Sequence, residues 1–298
     1  MATLRELKGR IGSVASSGKI TGAMKMISSA KMHKAEGVLK RLVPFRQCIK
    51  TILTSLLESD AAVESPLTEP HNDIRKIAVV VFGSDDGLCG AYNVNIFKEM
   101  LADLSKLRQE YGQSTEIEII PIGKKIQRIA ARIIAKDNSL AINIPQDIDS
   151  KSDGENVKNF AKGLQNRFLR GEIDMVRMVY MHFITAGRQV IDCSTYLPCS
   201  PESLTGKNET APSSKPYLFE PNPAAIYAAA LPMYLLSNLQ QAFAENRASE
   251  QAARVMAMQS ANDNAQKLLE QLQLEYNKLR QQAITSELLD IVGGQARD

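Results

Sequence analysis

Catalysis needs polar groups gathered at one place, and the side chains that most often supply them are sparse here: three histidines (His33, His71, His182) and four cysteines (Cys48, Cys89, Cys193, Cys199). The histidines fall on a basic helical stretch, a linker and an apolar strand-like run, so each reads as a structural or solvated ring. No nucleophile elbow is present, and neither Cys nor His recurs at metal-ligand spacing. Cys193 and Cys199 could approach one another if a strand and its following loop folded back, but they read rather as small buried hydrophobes. With no signal peptide in view, reduced cytoplasmic thiols are expected. The strongest candidate site is Gly83-Ser-Asp-Asp-Gly-Leu-Cys-Gly90, a glycine-rich turn after a strand and before a helix, where doubly wound folds bind phosphate. Its aspartates argue against an anion, because a phosphate cradle works through backbone amides and a cation. A tight turn with aspartate capping the next helix fits Asp85 and Asp86 better.

The elements that must position this turn follow from periodicity. Ile77–Phe82, Glu116–Ile120, Met175–Thr185 and Gln189–Leu197 read as strands; 95–111, Lys124–Ala135 and Asn156–Leu169 read as helices. That order predicts a parallel or mostly parallel sheet covered by helices, with the last two strands joined as a hairpin through Ala186-Gly187-Arg188. The proline-rich stretch Cys199–Pro223 reads as a loop.

Both ends differ from this middle. A 3,4 spacing runs from Leu4 through Leu7, Ile11 and Val14 to Leu53 and Leu56, with a small, polar fault between Ala15 and Ala30 where another backbone can come close. Pro44 should bend that helix. A second helical pattern starts at Pro223, carries Pro232, holds the 3,4 register from Val255 to Ala283 and is expected to stop at Gly293-Gly294. Of sixteen aromatic residues only Phe45 lies in 1–58 and only Tyr276 in 244–298, so the ends are slender and the middle holds the thick core. Charge divides likewise: 1–58 carries eleven Lys/Arg against three acids, although the whole chain is only +3. Glu6 and a pattern running on for about fifty residues argue for structure there rather than a transit peptide. Nucleic acid is a poor match for the basic arm, which has no aromatic stacking residues and spreads its cations round the helix.

At 1.5 Å per residue the first helix spans roughly 80 Å and the last roughly 100 Å. A compact domain of this middle's size is only roughly 40 Å across. The two helices must therefore pair as a long antiparallel coiled coil beside a central Rossmann-like α/β domain. The expected division is 1–58 N-terminal coiled-coil helix, 74–199 α/β head, 200–222 loop and 223–292 C-terminal coiled-coil helix. The last helix should outrun its mate, leaving Ile284, Leu288, Leu289, Ile291 and Val292 without intramolecular cover and in need of a partner.

Four motifs carry a resemblance over essentially the whole chain: Ile20–Ala35, Ser84–Gly90, Ser249–Met258 and Tyr276–Gly294. In that order they resemble the gamma subunit, the central stalk, of the F-type ATP synthases. The resemblance implies a non-catalytic rotor that passes rotation of the membrane ring of proton-carrying subunits to the catalytic and non-catalytic subunits of a hexamer, driving ATP synthesis. An epsilon-type stalk subunit is a further implied partner; no cofactor and no nucleic acid is implied. By motif, Met24, Lys25 and Arg254 match positions where the stalk meets the catalytic subunits' lever, near Arg280, Gln281, Thr285 and Glu287, which match hexamer contacts. Tyr217 and Glu220 match the foot on the ring. Asp86 stands where the family usually has arginine, and the plant-type redox insertion is missing, so Cys193 and Cys199 are not read as a light-linked switch. A start a few residues before the first helix suggests a bacterial protein, peripheral on the cytoplasmic side of the cell inner membrane. The alternative is a phosphate- or nucleotide-binding α/β enzyme whose helices serve only as an oligomerisation arm.

Overall fold

The structure, a computed structural model, describes residues 3–58, 64–71, 73–134, 140–201, 204 and 219–295. Its elements are α1 (Leu4–Leu57), β1 (Lys76–Phe82), α2 (Tyr92–Tyr111), β2 (Glu116–Ile122), α3 (Lys124–Ile134), β3 (Leu140–Ile142), α4 (Gly154–Leu169), β4 (Met175–Thr185), β5 (Arg188–Leu197) and α5 (Pro223–Gln295). The chain divides into two compact units, Met1–Ser29 with Arg254–Asp298, and Ala30–Ala253.

In the first unit, α1 opens with a reciprocal cap: Thr3 N donates to Glu6 Oε2 (2.8 Å) and Glu6 N to Thr3 Oγ1 (3.3 Å). Gly18 faces Ala265 and Asn262 while Gly22, one turn on, faces Asn262, so α1 and α5 run antiparallel here. A Cβ on Gly18 would stand 3.6 Å from that of Ala265, ordinary contact, so the small residues bring the backbones close without alanine being excluded. The sixteen positions of the 3,4 stripe of α1, from Leu4 to Leu56, are buried or half-buried without exception. On α5 the same holds from Val255 to Leu279 and ends at Ala283, which is exposed. Beyond it Ile284, Leu288 and Leu289 are exposed, the latter two at 57% and 66%. Contrary to expectation α5 continues through Gly293-Gly294 to Gln295, because glycine weakens a helix by about 1 kcal/mol without forbidding it.

The second unit is a three-layer α/β fold. Its sheet has the order β3-β2-β1-β4-β5, parallel except for the β4/β5 hairpin. Strand alternation sends Ala78, Val80, Phe82, Ile120, Val176 and Met178 to one face, under α4 and the segments of α1 and α5 belonging to this unit. Ile77, Val79, Val81, Ile117, Ile119 and Val179 face α2 and α3 on the other. With both faces covered, β1 reads as a continuous apolar run. Three-residue β3 escapes sequence reading because Leu140–Ile142 is too short to show a period. Within this unit α1 and α5 pair through Ala35 and Leu39 with Ala244 and Ala248, and through Arg46 Nη1, which donates to Asn238 Oδ1 (3.2 Å).

Asp174 fastens the entry to the sheet. Its Oδ2 accepts from the backbone N–H of Arg75 and of Lys76, both at 2.9 Å, and its Oδ1 lies 2.7 Å from Nδ1 of His71, whose ring stacks on buried Phe168. Burial alone would raise the carboxyl's pKa, but the hydrogen bonds from His71, Lys76 and Arg75 outweigh it and hold the group below its ordinary value. A depressed carboxyl contributes stability that is complete above its unfolded pKa of about 4 and lost as pH falls through the folded value. Replacing Asp174 by asparagine is expected to cost about 1–2 kcal/mol at neutral pH and to flatten the acid limb of stability, as urea unfolding at a series of pH values would show.

Candidate functional site

The glycine-rich turn lies at the carboxyl end of β1, and several of its polar groups are bonded within the fold. Ser84 N donates to Asn93 Oδ1 (3.0 Å), Lys125 N to Ser84 O (2.9 Å) and Lys124 N to Asp85 Oδ1 (3.0 Å). Ser150 Oγ donates to the other oxygen of Asp85 at 2.7 Å. Asp85 therefore caps α3, not α2, the next helix, whose N-cap Ala91 supplies no side-chain bond. Asp86 pairs with Lys151 at 3.0 Å, and this hydrogen bond holds the ammonium above its ordinary pKa. Both side chains are more than half exposed, so the pair adds at most about 1 kcal/mol. Gly83 is demanded by packing: a Cβ there would stand 2.6 Å from Cβ of Ile126, an atom that α3 cannot swing aside. Exchange of Gly83 for alanine is expected to cost about 1–3 kcal/mol in thermal unfolding, with α3 displaced.

In doubly wound sheets ligands enter where the strand order reverses, here between β1 and β4. That crevice is filled by α5. Asn246 Nδ2 donates to Gly83 O (3.1 Å), the Tyr92 hydroxyl to Asn246 Oδ1 (2.5 Å) and Ser249 Oγ to Met181 O (3.1 Å). Glu245 accepts from Gln241 Nε2 (2.6 Å) and lies 2.5 Å from Nδ1 of His182. The structure thus gives His71 and His182 carboxylate partners, while exposed His33 contacts Glu36 within α1. No disulfide joins the four cysteines; burial pushes the Cys193 thiol up to about 12, and Cys199 is buried.

The expected contact residues form two zones. Met24 and Lys25 are half-buried on α1 and Arg254 is buried on α5, all in the first unit. Arg280, Gln281, Thr285 and Glu287 are exposed near the end of α5, where the Thr285 hydroxyl donates to Gln281 O (2.9 Å). Arg254 and Arg280 are 26 positions apart on one helix. At 1.5 Å per residue that is roughly 39 Å, so the expectation that the groups lie near each other does not hold. Glu220 is exposed before α5, and Tyr217 lies outside the described residues. The first unit also exposes apolar residues off the stripe: Ile20 and Met26 on α1, which the sequence places on other faces and which call for a second partner, and Ile27 on α1 and Met256 on α5, which sequence reasoning missed; Met26 is 74% exposed. Apolar residues off the 3,4 stripe were the available signal. No helix among the described residues is long and apolar enough to cross a membrane.

A family model described as ATP synthase matches residues 3–296. Curated relatives include the ATP synthase gamma chain of Bacteroides fragilis, 40% identical over 294 residues and 99% of both chains, and that of Flavobacterium psychrophilum, 35% identical over 99% of this chain and 98% of the relative. Among solved structures, a chain of the Euglena gracilis mitochondrial ATP synthase OSCP/F1/c-ring assembly superposes with TM-score 0.62 at 21% identity, covering 98% of this chain and 93% of its own. A chain of the Tetrahymena thermophila central stalk/c-ring structure gives 0.52 at 21% identity, covering 81% and 99%. At that identity both speak for the fold.

Proposed function

The chain belongs to the ATP synthase gamma-chain family, and from that membership we propose that it is the central rotor stalk of a proton-translocating F-type ATP synthase. It carries no catalytic site of its own; it passes rotation of the membrane ring to the hexamer of catalytic and non-catalytic subunits and so drives ATP synthesis. The observation that carries this reading is the first unit. An antiparallel helix pair ends in a stretch of α5 whose Ile284, Leu288 and Leu289 are exposed. Apolar surface of that kind needs a socket, and a rotor biases otherwise equivalent sites by presenting each with different contacts.

Residues 1–58 and 223–292 serve as the shaft and 74–199 as the head. Arg280, Gln281, Thr285 and Glu287 meet the hexamer at the tip; Met24, Lys25 and Arg254 meet the catalytic lever at a lower level. Tyr217 and Glu220 belong to the foot on the ring, and an epsilon-type subunit completes the stalk. The protein is peripheral, on the cytoplasmic side of the cell inner membrane. A nucleotide-binding enzyme is disfavoured because helix α5 already fills the crevice at the strand switch. Co-purification tests the reading: the tagged chain should bring down the ATPase hexamer and the ring, and the purified chain alone should not turn over nucleotide. Nucleotide turnover by the chain alone, with no gain on adding the hexamer, would contradict it.

A further inference from the structure

Glu245, Asn246 and Ser249 project from one side of α5 and are 3%, 1% and 0% exposed. Burying a carboxylate, a carboxamide and a hydroxyl is costly unless each is paired, and apolar residues would cover the sheet more cheaply. Elsewhere on the sheet α4 does so with Val157, Ala161, Leu164 and Phe168. What polar pairing adds is direction. Apolar packing tolerates small rotations of a helix about its axis, whereas a hydrogen bond weakens steeply with angle. The four anchors of this band are Gly83 O, the Tyr92 hydroxyl, Met181 O and His182 Nδ1. They come from the residue after β1, the start of α2, and β4, so three separate segments hold the helix.

We propose that Glu245, Asn246 and Ser249 form a torsional lock: they occupy the crevice where related sheets hold a ligand and fix the rotation of α5 about its own axis against the sheet. Torque applied to the α/β domain then enters the long helix at this level instead of being dissipated as local twist. This rests on the rotor reading above. Removing the lock leaves the chain folded through its apolar layers but softens the transmission, so the loss is greatest under load.

The test uses the complete ATP synthase in sealed vesicles, carrying the unaltered chain, Asn246→Leu with Ser249→Ala, Ser249→Ala alone, or Ser249→Thr, which keeps the hydroxyl. At equal amounts of assembled complex, the double variant is expected to hydrolyse ATP at the unaltered rate but to lose proton pumping against an imposed gradient; Ser249→Thr is expected to pump normally. In the full-length chain, amide exchange in the Gly83–Gly90 turn should rise about fivefold to tenfold for each hydrogen bond removed. A double variant that pumps against the gradient as well as the unaltered complex would overturn the lock. Should the double variant not assemble, Ser249→Ala alone decides, with pumping equal to the unaltered complex counting against the proposal. Hydrolysis without any pumping by the unaltered chain would instead sink the rotor reading, and the lock with it.

Discussion

Ending the chain at Ala283 is expected to weaken its hold on the catalytic hexamer by about a hundredfold while leaving the α/β fold unchanged. Ile284, Leu288 and Leu289, 49%, 57% and 66% exposed in the isolated chain, are among the apolar side chains removed. Burying that remaining surface in a partner is worth about 1 kcal/mol for each, and roughly 3 kcal/mol corresponds to about a hundredfold in the dissociation constant. The α/β fold does not depend on them, because the stripe on α5 that faces its mate has already ended at Leu279. Titrating hexamer with the full and shortened chains measures the ratio, and far-UV and thermal unfolding check the fold. An unchanged dissociation constant, with coupling intact, would mean that the tip of α5 has no socket.

Replacing Arg177 by leucine is expected to cost about 3–5 kcal/mol of stability, because it leaves a buried charge without its counter-ion. Asp103 on α2 is 3% exposed, and both its oxygens are held by Arg177 of β4, at 2.5 and 3.0 Å. The same guanidinium donates to Thr195 Oγ1 (3.2 Å) and Cys193 O (3.3 Å), tying the hairpin together. Urea unfolding should show the loss, and adding Asp103→Leu should restore most of it, since removing both charges is far less costly than stranding one. A double variant no more stable than Arg177→Leu alone would show that the pair is not what the single change disrupts.

Local periodicity made the helices legible. The stripe of α1 could be read because a buried face repeats every three or four residues within one segment, and each position in that register is shielded. The unpaired end of α5 followed from length alone. The wiring between distant segments was not readable: Asp85 caps a helix 39 positions later, Asp103 meets Arg177 across 74, and Asn246 reaches Gly83 across 163. The chain around Asn246 is alanine-rich, so Glu245, Asn246 and Ser249 look like the solvated side of a helix until the sheet is laid against them. The expected contact positions came from motifs, and their separation along α5 required counting along a continuous helix, while the exposure of Ile27 required knowing which face α5 covers.

Rotation itself is the most direct test. With the hexamer immobilised and a probe attached to the α/β domain, ATP is predicted to drive continuous rotation in one direction, stopping when nucleotide is exhausted. Hydrolysis at full rate with the probe stationary would contradict the account.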